Sequence, residues 1–392
     1  MTIHTALADR GIDPGILATL DEFTAFRRDL HRHPELAFRE TRTSGLVAER
    51  LHAYGYAVTT GLAGTGVVGV LRKGTGERRL GLRADMDALP IRERTGLSYA
   101  SAADGTMHAC GHDGHTAILL AAARRLAEAD FSGTLTLIFQ PAEEIGAGAR
   151  KLVSEGLFAR FPVDAVFGLH NWPGVPRGQF GFVAGPAMAA VDKAEIRVVG
   201  RGGHGASPHE TVDPVVAAAA IVLALQSVVA RNVDPREAAV VTVGAIHGGE
   251  ASNVIPDRVD LKLTIRSFDP TVRRRLEDRI VALTRDQAAS YGAQAEIEYR
   301  RGLPTVFNHA AETAFAREVA LAAFGAERLE ADFKPRMASE DFAYLLEARP
   351  GSYLFVGNGD SAPLHSPEYD FDDALIAPAA SFWVRLVRTF LV

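Results

Sequence analysis

Apolar residues between positions 17 and 51 recur at helical spacing, with Pro34 interrupting, and predict two amphipathic helices separated at His33-Pro34. Residues 65–71 and 80–84 read as strands joined by a Gly74-Thr75-Gly76 turn. A helix follows over about 114–129, then buried strands at 134–139 and 165–169. Strands alternating with helices predict an α/β layered domain. The pattern changes after Gly185-Pro186. Residues 193–199 alternate as a strand, 215–230 is an alanine-rich apolar helix, and 240–246 and 259–268 are further strands. A helix over 270–290 and a strand at 295–299 complete a β-α-β-β-α-β order, that of a ferredoxin-like, split βαβ sandwich. An inserted domain is therefore expected at 187–301, with 1–186 and 302–392 forming one domain around it. A short strand at 353–356 belongs to the returning chain.

Composition narrows the class. The 392 residues are 47% hydrophobic and 23% charged, as in a soluble globular protein. A net charge of −6, from 42 basic and 48 acidic side chains, argues against nucleic acid as a partner. The apolar run 215–230 is broken by Gln226 and Ser227 and falls short of a membrane span, so a buried, close-packed helix is expected there. The first fifteen residues carry His4, Asp9, Arg10 and Asp13 and no apolar signal region. Together with an unpaired thiol, this sets a cytoplasmic location as the expectation.

That thiol opens the chemistry. Cys110, the chain's one cysteine, stands in Met107-His108-Ala109-Cys110-Gly111-His112-Asp113-Gly114-His115-Thr116. It has no disulfide partner within the chain, and thiolate and imidazole one glycine apart can face one ion from a tight turn. Gln140-Pro141-Ala142-Glu143-Glu144 follows directly on an apolar strand, where α/β sheets bind ligands. Adjacent carboxylates point in different directions, so one can ligate a metal while the other stays free as a base. Alone, such a pair is more often just solvated. His170 lies past the strand at 165–169, and His365 precedes Ser366-Pro367; each read singly is an ordinary loop histidine. Asp85 and Asp87, after the strand at 80–84, suit orientation of ligating histidines better than direct ligation. Gly200-Arg201-Gly202-Gly203-His204-Gly205 fits the letter of a dinucleotide fingerprint, but no acidic residue stands where a ribose would be gripped. His204 is instead expected as an exposed side chain on a mobile loop.

With these segments in view, the chain resembles the hippurate hydrolases, N-acyl-amino-acid amidohydrolases and auxin-conjugate hydrolases of the di-metal aminoacylase and carboxypeptidase superfamily. The resemblance rests on the motifs above, on Arg83-Ala84-Asp85-Met86-Asp87-Ala88-Leu89-Pro90, and on Glu250-Ala251-Ser252-Asn253-Val254-Ile255-Pro256. It rests as well on Met337-Ala338-Ser339-Glu340-Asp341-Phe342. It implies a catalytic domain binding two divalent ions (Zn²⁺ or Mn²⁺, with Co²⁺ or Ni²⁺ compatible) and an inserted lid that mediates a homodimer or tetramer. Carried over by motif, the ligands are Cys110, His112, Glu144, His170 and His365. Glu143 is the general base, His204 approaches the scissile carbonyl, and Asn253 and Arg266 grip the substrate carboxylate. The implied reaction is hydrolysis of an N-acyl-L-amino acid, without nucleic acid or membrane partners. A dipeptidase or carboxypeptidase, a cysteine hydrolase using Cys110 as nucleophile, and a non-catalytic metal scaffold are the competing readings. Glu143, a carboxylate spare beside a ligand, speaks against the scaffold.

Overall fold

A computed structural model describes residues 11–392, so most of the polar N-terminal stretch read above lies outside the described residues. The chain divides into two compact units. One comprises the chain up to Ala187 with Phe307–Lys334 and Glu340–Val392, and the other Met188–Val306 with Pro335–Ser339.

The first unit is built on a seven-stranded sheet. Its order is Ala57–Leu62, Gly66–Lys73, Gly133–Gln140, Arg79–Asp85, Ala165–Trp172, Gly351–Gly357 and Phe180–Gly181. The four strands from Gly133–Gln140 to Gly351–Gly357 run parallel and carry near-continuous apolar runs, as strands buried on both faces must. Leu80, Leu82, Leu135, Leu137, Phe139, Phe167 and Leu354 join one core with Leu119, Leu120 and Ala121 of the helix His112–Glu128. On the opposite face Phe342 packs on Tyr353, ring centroids 5.0 Å apart. The helices Leu20–Arg32 and Thr41–Ala53 form on either side of Pro34.

Two expectations change here. The segments 65–71 and 80–84 are strands but not a hairpin: Gly133–Gln140 lies between them, antiparallel to the first and parallel to the second. The Gly74-Thr75-Gly76 turn therefore bridges across a strand. Ala57–Leu62 is an additional edge strand in which only Leu62 is buried, so no apolar alternation announces it.

The second unit has the ferredoxin-like arrangement. Its strands lie in the order Ala239–His247, Arg258–Ser267, Ala190–Val199, Gln294–Arg301, all antiparallel. Helices Pro214–Asn232 and Pro270–Ser290 pack together and against this sheet, each started by an aspartate cap (Asp213, Asp269) and a first-turn proline. Pro214–Asn232 departs from the expectation of a buried helix. Ala217, Ala218, Ile221, Leu225 and Val228 form one buried stripe, whereas Val215, Val216 and Leu223 are exposed, Leu223 by 75%. The helix is long and apolar enough to cross a membrane by composition, yet its buried stripe is part of this unit's core. The segment around His204 also differs: Gly203–His204 is a short strand paired with Val254–Ile255, not a loop, though His204 is exposed as expected.

Candidate metal centre

The parallel strands of the first unit end together, and the metal-compatible side chains cluster at those carboxyl ends. His170 lies near the carboxyl end of the strand Ala165–Trp172, Glu143 and Glu144 follow Gly133–Gln140, and Asp87 follows Arg79–Asp85. Cys110 and His112 flank Gly111, which opens the helix His112–Glu128 at φ +93°. A Cβ on Gly111 would sit 2.2 Å from Asn171 Oδ1, so both the backbone angle and the space demand glycine. His365 is itself in the left-handed region, φ +65°, with its N–H donating to the Ala109 carbonyl at 2.8 Å. A non-glycine residue held there is strained, a feature that gathers at functional sites.

The ligating atoms converge in overlapping groups. Cys110, His112 and His170 form one, Cys110, Glu144 and His365 a second, and His112, Glu143 and Glu144 a third, with the atoms of each group within 4.8 Å of one another. Cys110 Sγ is 3.4 Å from His170 Nε2, and His365 Nε2 is 3.4 Å from Glu144 Oε2. His112 Nδ1 donates to the Asp87 carbonyl at 2.9 Å and His170 Nδ1 to the Asn171 carbonyl at 2.6 Å. Both Nε2 lone pairs are thereby directed inward, the usual arrangement behind a ligating imidazole.

These residues fit divalent cations. His112 Nε2 and Glu144 Oε1 are buried without a hydrogen-bond partner, 3.8 Å apart. Two such orphaned acceptors facing each other are costly unless a cation lies between them. The charge balance agrees. Asp85, Asp87, Glu143, Glu340 and Asp341 are buried here and Glu144 nearly so, whereas Arg83 is the buried guanidinium among them. Burial, then Glu144, Glu143 and Asp85, push the Cys110 thiol well up, and burial with Asp87 and Asp85 raises Glu144 to about 7. Burial, the largest influence on His112, favours the neutral ring, yet Asp85, Asp87 and Glu144 outweigh it and raise the imidazole to about 10. The surroundings attract positive charge. A thiolate with imidazoles and carboxylates is a donor set for Zn²⁺ or a similar transition ion rather than for Mg²⁺ or Ca²⁺.

Glu143 is 8% exposed and accepts from the Asp341 N–H at 3.3 Å. Burial first, then Glu340, Glu144 and Asp341, hold its carboxyl well above the usual range. Asp85 and Asp87 act through others. Asp85 accepts from His115 (2.6 Å) and Arg83 (2.6 Å), and Asp87 takes the N–H groups of Glu143 and Glu144 on its two oxygens, each at 3.0 Å. Around them lies a network that residue type alone does not assign. Arg83 contacts Gln140, Asp85, Glu340 and Asp341, and Tyr353 donates to Glu340. His115 spans Asp85 and Asn171, while Asp113 faces away and pairs with His31 and Arg27. Gln140, a polar end to an apolar strand, was the available signal for the network.

Residues 81–389 match Peptidase family M20/M25/M40. The chain belongs to this family. Among its relatives, the hippurate hydrolase of Campylobacter jejuni is 43% identical, covering 96% of this chain and 99% of that protein. The N-acetyl-L-cysteine deacetylase of Bacillus subtilis is 41% identical over 97% of this chain and 91% of its own length. A solved M20 structure from Bacillus subtilis, described as a dinuclear metal-binding peptidase, superposes with a TM-score of 0.83 at 34% identity, covering 96% of this chain and 99% of that one. A two-ion centre is thus in keeping with the family.

The other sequence-derived candidates, His204, Asn253 and Arg266, lie in the second unit. His204 Nδ1 accepts from the Ala206 N–H at 3.0 Å, which leaves Nε2 as the outward group. The Asn253 carbonyl accepts from the Gly205 N–H at 2.8 Å, tying this residue to the His204 ribbon. Arg266 is half-buried and donates to Thr264 Oγ1 and to the Ile265 carbonyl.

Proposed function

We propose that this chain is a metal-dependent amidohydrolase that cleaves the amide bond of N-acyl-L-amino acids to a carboxylic acid and a free amino acid. The observation that carries this reading is the pair of orphaned buried polar atoms, His112 Nε2 and Glu144 Oε1, beside a second buried carboxylate, Glu143, which accepts from the Asp341 N–H. Cys110, His112, Glu144, His170 and His365 would hold two divalent ions, Zn²⁺ or Mn²⁺ foremost. Divalent ions bound there would supply a water of lowered pKa and polarise the scissile carbonyl. Glu143 is the base that would take a proton from the attacking water and deliver it to the departing nitrogen, which leaves poorly as an amide anion. The Asp341 N–H on its Oε1 keeps the carboxylate aimed during both transfers.

The second unit acts as lid and dimerisation domain. His204 offers Nε2–H to the developing oxyanion, from its own chain or from a partner, and Arg266 with Asn253 receives the substrate's free carboxylate. The exposed apolar face of Pro214–Asn232 and the edge strand Ala239–His247 support a homodimer through this unit. A thiol ligand favours a reducing compartment, which is why the cytoplasm is proposed.

The test is amine release from a panel of N-acyl amino acids, with the protein stripped by chelator and reloaded with single metals. Cleavage should vanish on stripping and return with a transition ion. Activity that survives full removal of metal, or is abolished by thiol alkylation of the loaded protein while metal is retained, would overturn the reading.

A further inference from the structure

The two glutamates at the centre leave the chain from an unusual turn. Ala142, directly before Glu143, is a non-glycine residue at φ +55°. Its carbonyl accepts from Ala147 N–H (3.3 Å) and Gly148 N–H (3.0 Å), so the turn closes tightly on itself. A Cβ disfavours this left-handed backbone, so something must hold it. Three successive N–H groups are in fact held by carboxylates. Asp87 takes those of Glu143 and Glu144, while the N–H of Ala142 goes to Glu40 Oε1 at 2.9 Å.

Glu40 is fully buried, and its contacts account for it as an acceptor. Oε1 also receives the Phe38 N–H at 3.0 Å, and Oε2 receives the Thr65 hydroxyl at 2.6 Å. Phe38 is likewise left-handed, φ +61°, so one carboxylate fastens two strained turns. Glu40 precedes the helix Thr41–Ala53 but makes no side-chain cap to it. That task falls to Glu35, which accepts from Arg42 N–H (2.9 Å) and Thr43 N–H (2.8 Å).

We propose that Glu40 is a positioning residue for the amidase reaction, an inference that rests on the functional reading above. By holding Ala142 in the left-handed region it fixes the directions in which the Glu143 and Glu144 side chains leave the backbone. Misplacing such groups by about 1 Å costs roughly a hundredfold in rate.

The experiment compares two-metal holoenzymes of the wild type, Glu40→Ala, Glu40→Gln, Glu35→Ala and the pair Glu40→Ala/Ala142→Gly. Steady-state kinetics, melting temperature and ion retention against a chromophoric chelator are read for each. Glu40→Ala should lower kcat by roughly tenfold to a hundredfold with KM within about twofold, and release an ion more readily. Glu40→Gln, which keeps one acceptor oxygen and guards against a folding failure of the alanine variant, should lose less. Glycine at 142 adopts the left-handed region freely, so the pair should regain kcat and ion retention over Glu40→Ala. Glu35→Ala should lower the melting temperature and leave kcat alone. A folded Glu40 variant with unchanged kcat and ion retention, or a pair that regains nothing, overturns the proposal. If the wild-type holoenzyme cleaves no acylated amino acid, the functional reading falls, and ion retention in the same variants decides the role of Glu40 by itself.

Discussion

Glu143 and Glu144 are neighbours of one chemical type whose surroundings assign them different work. Glu144 faces His112 and His365, while Glu143 turns toward Glu340 and the Asp341 N–H. Removing only the basicity of Glu143 should therefore spare the metal centre. Glu143→Gln is expected to keep two ions per chain by elemental analysis and to lose turnover by roughly 10²–10⁴-fold. Retained turnover would reassign the base. At this scale the cluster was legible from residue type: Cys110, His112, Glu144, His170 and His365 were expected together, and the structure brings their donor atoms into overlapping groups. Roles that depend on which backbone amide a carboxylate meets were not. Glu40 lies 102 residues from the amide it holds, and nothing in its local sequence separates it from Glu35, which caps a helix.

The elements that carry these residues are held by contacts of contrasting tolerance. Gly111 and Gly45 both lie at or in helices, but only Gly111 has a positive φ and a neighbour where a Cβ would go. Gly111→Ala should cost about 1–3 kcal/mol through strain and overpacking and loosen metal retention, whereas Gly45→Ala, exposed in a helix, should gain about 0.5–1 kcal/mol. Paired thermal melts decide the contrast. The metal-site helix is also tied to Leu20–Arg32 through buried His31, which contacts Asp113 at 2.8 Å and Glu93 at 3.3 Å. Burial opposes its charge, but these carboxylates raise the ring to about 9. The folded value exceeds the unfolded one, near 6.5, so this stabilisation is complete below pH 6.5 and fades as pH rises through about 9. His31→Gln should flatten the fall in melting temperature across that window; an unchanged slope would place the proton elsewhere. Element types followed from periodicity, yet adjacency did not. The strand Gly133–Gln140 enters between two strands joined by a short connection, because burying both faces of a parallel sheet overrides the local preference for a hairpin.

At the scale of the molecule, the helix Pro214–Asn232 spends its apolar residues on two faces. The stripe from Ala217 to Val228 serves the core of its own unit, and that accounts for one side. Sequence alone could not divide the two, since alanine, valine and leucine occupy both. Val215, Val216 and Leu223 remain in contact with solvent, as does Ile246 on the edge strand Ala239–His247. Exposed aliphatic side chains on a helix and an open strand edge in the same unit invite association, and a twofold axis lets one surface complement itself. Wild-type protein is accordingly expected to sediment at twice the chain mass. Leu223→Glu should place a charge in each copy's half of the contact and give a folded monomer with its metals intact. If His204 acts across the interface, that monomer should also lose kcat; full activity would place His204 within its own chain. A Leu223→Glu protein that remains a dimer would show that association uses a different surface.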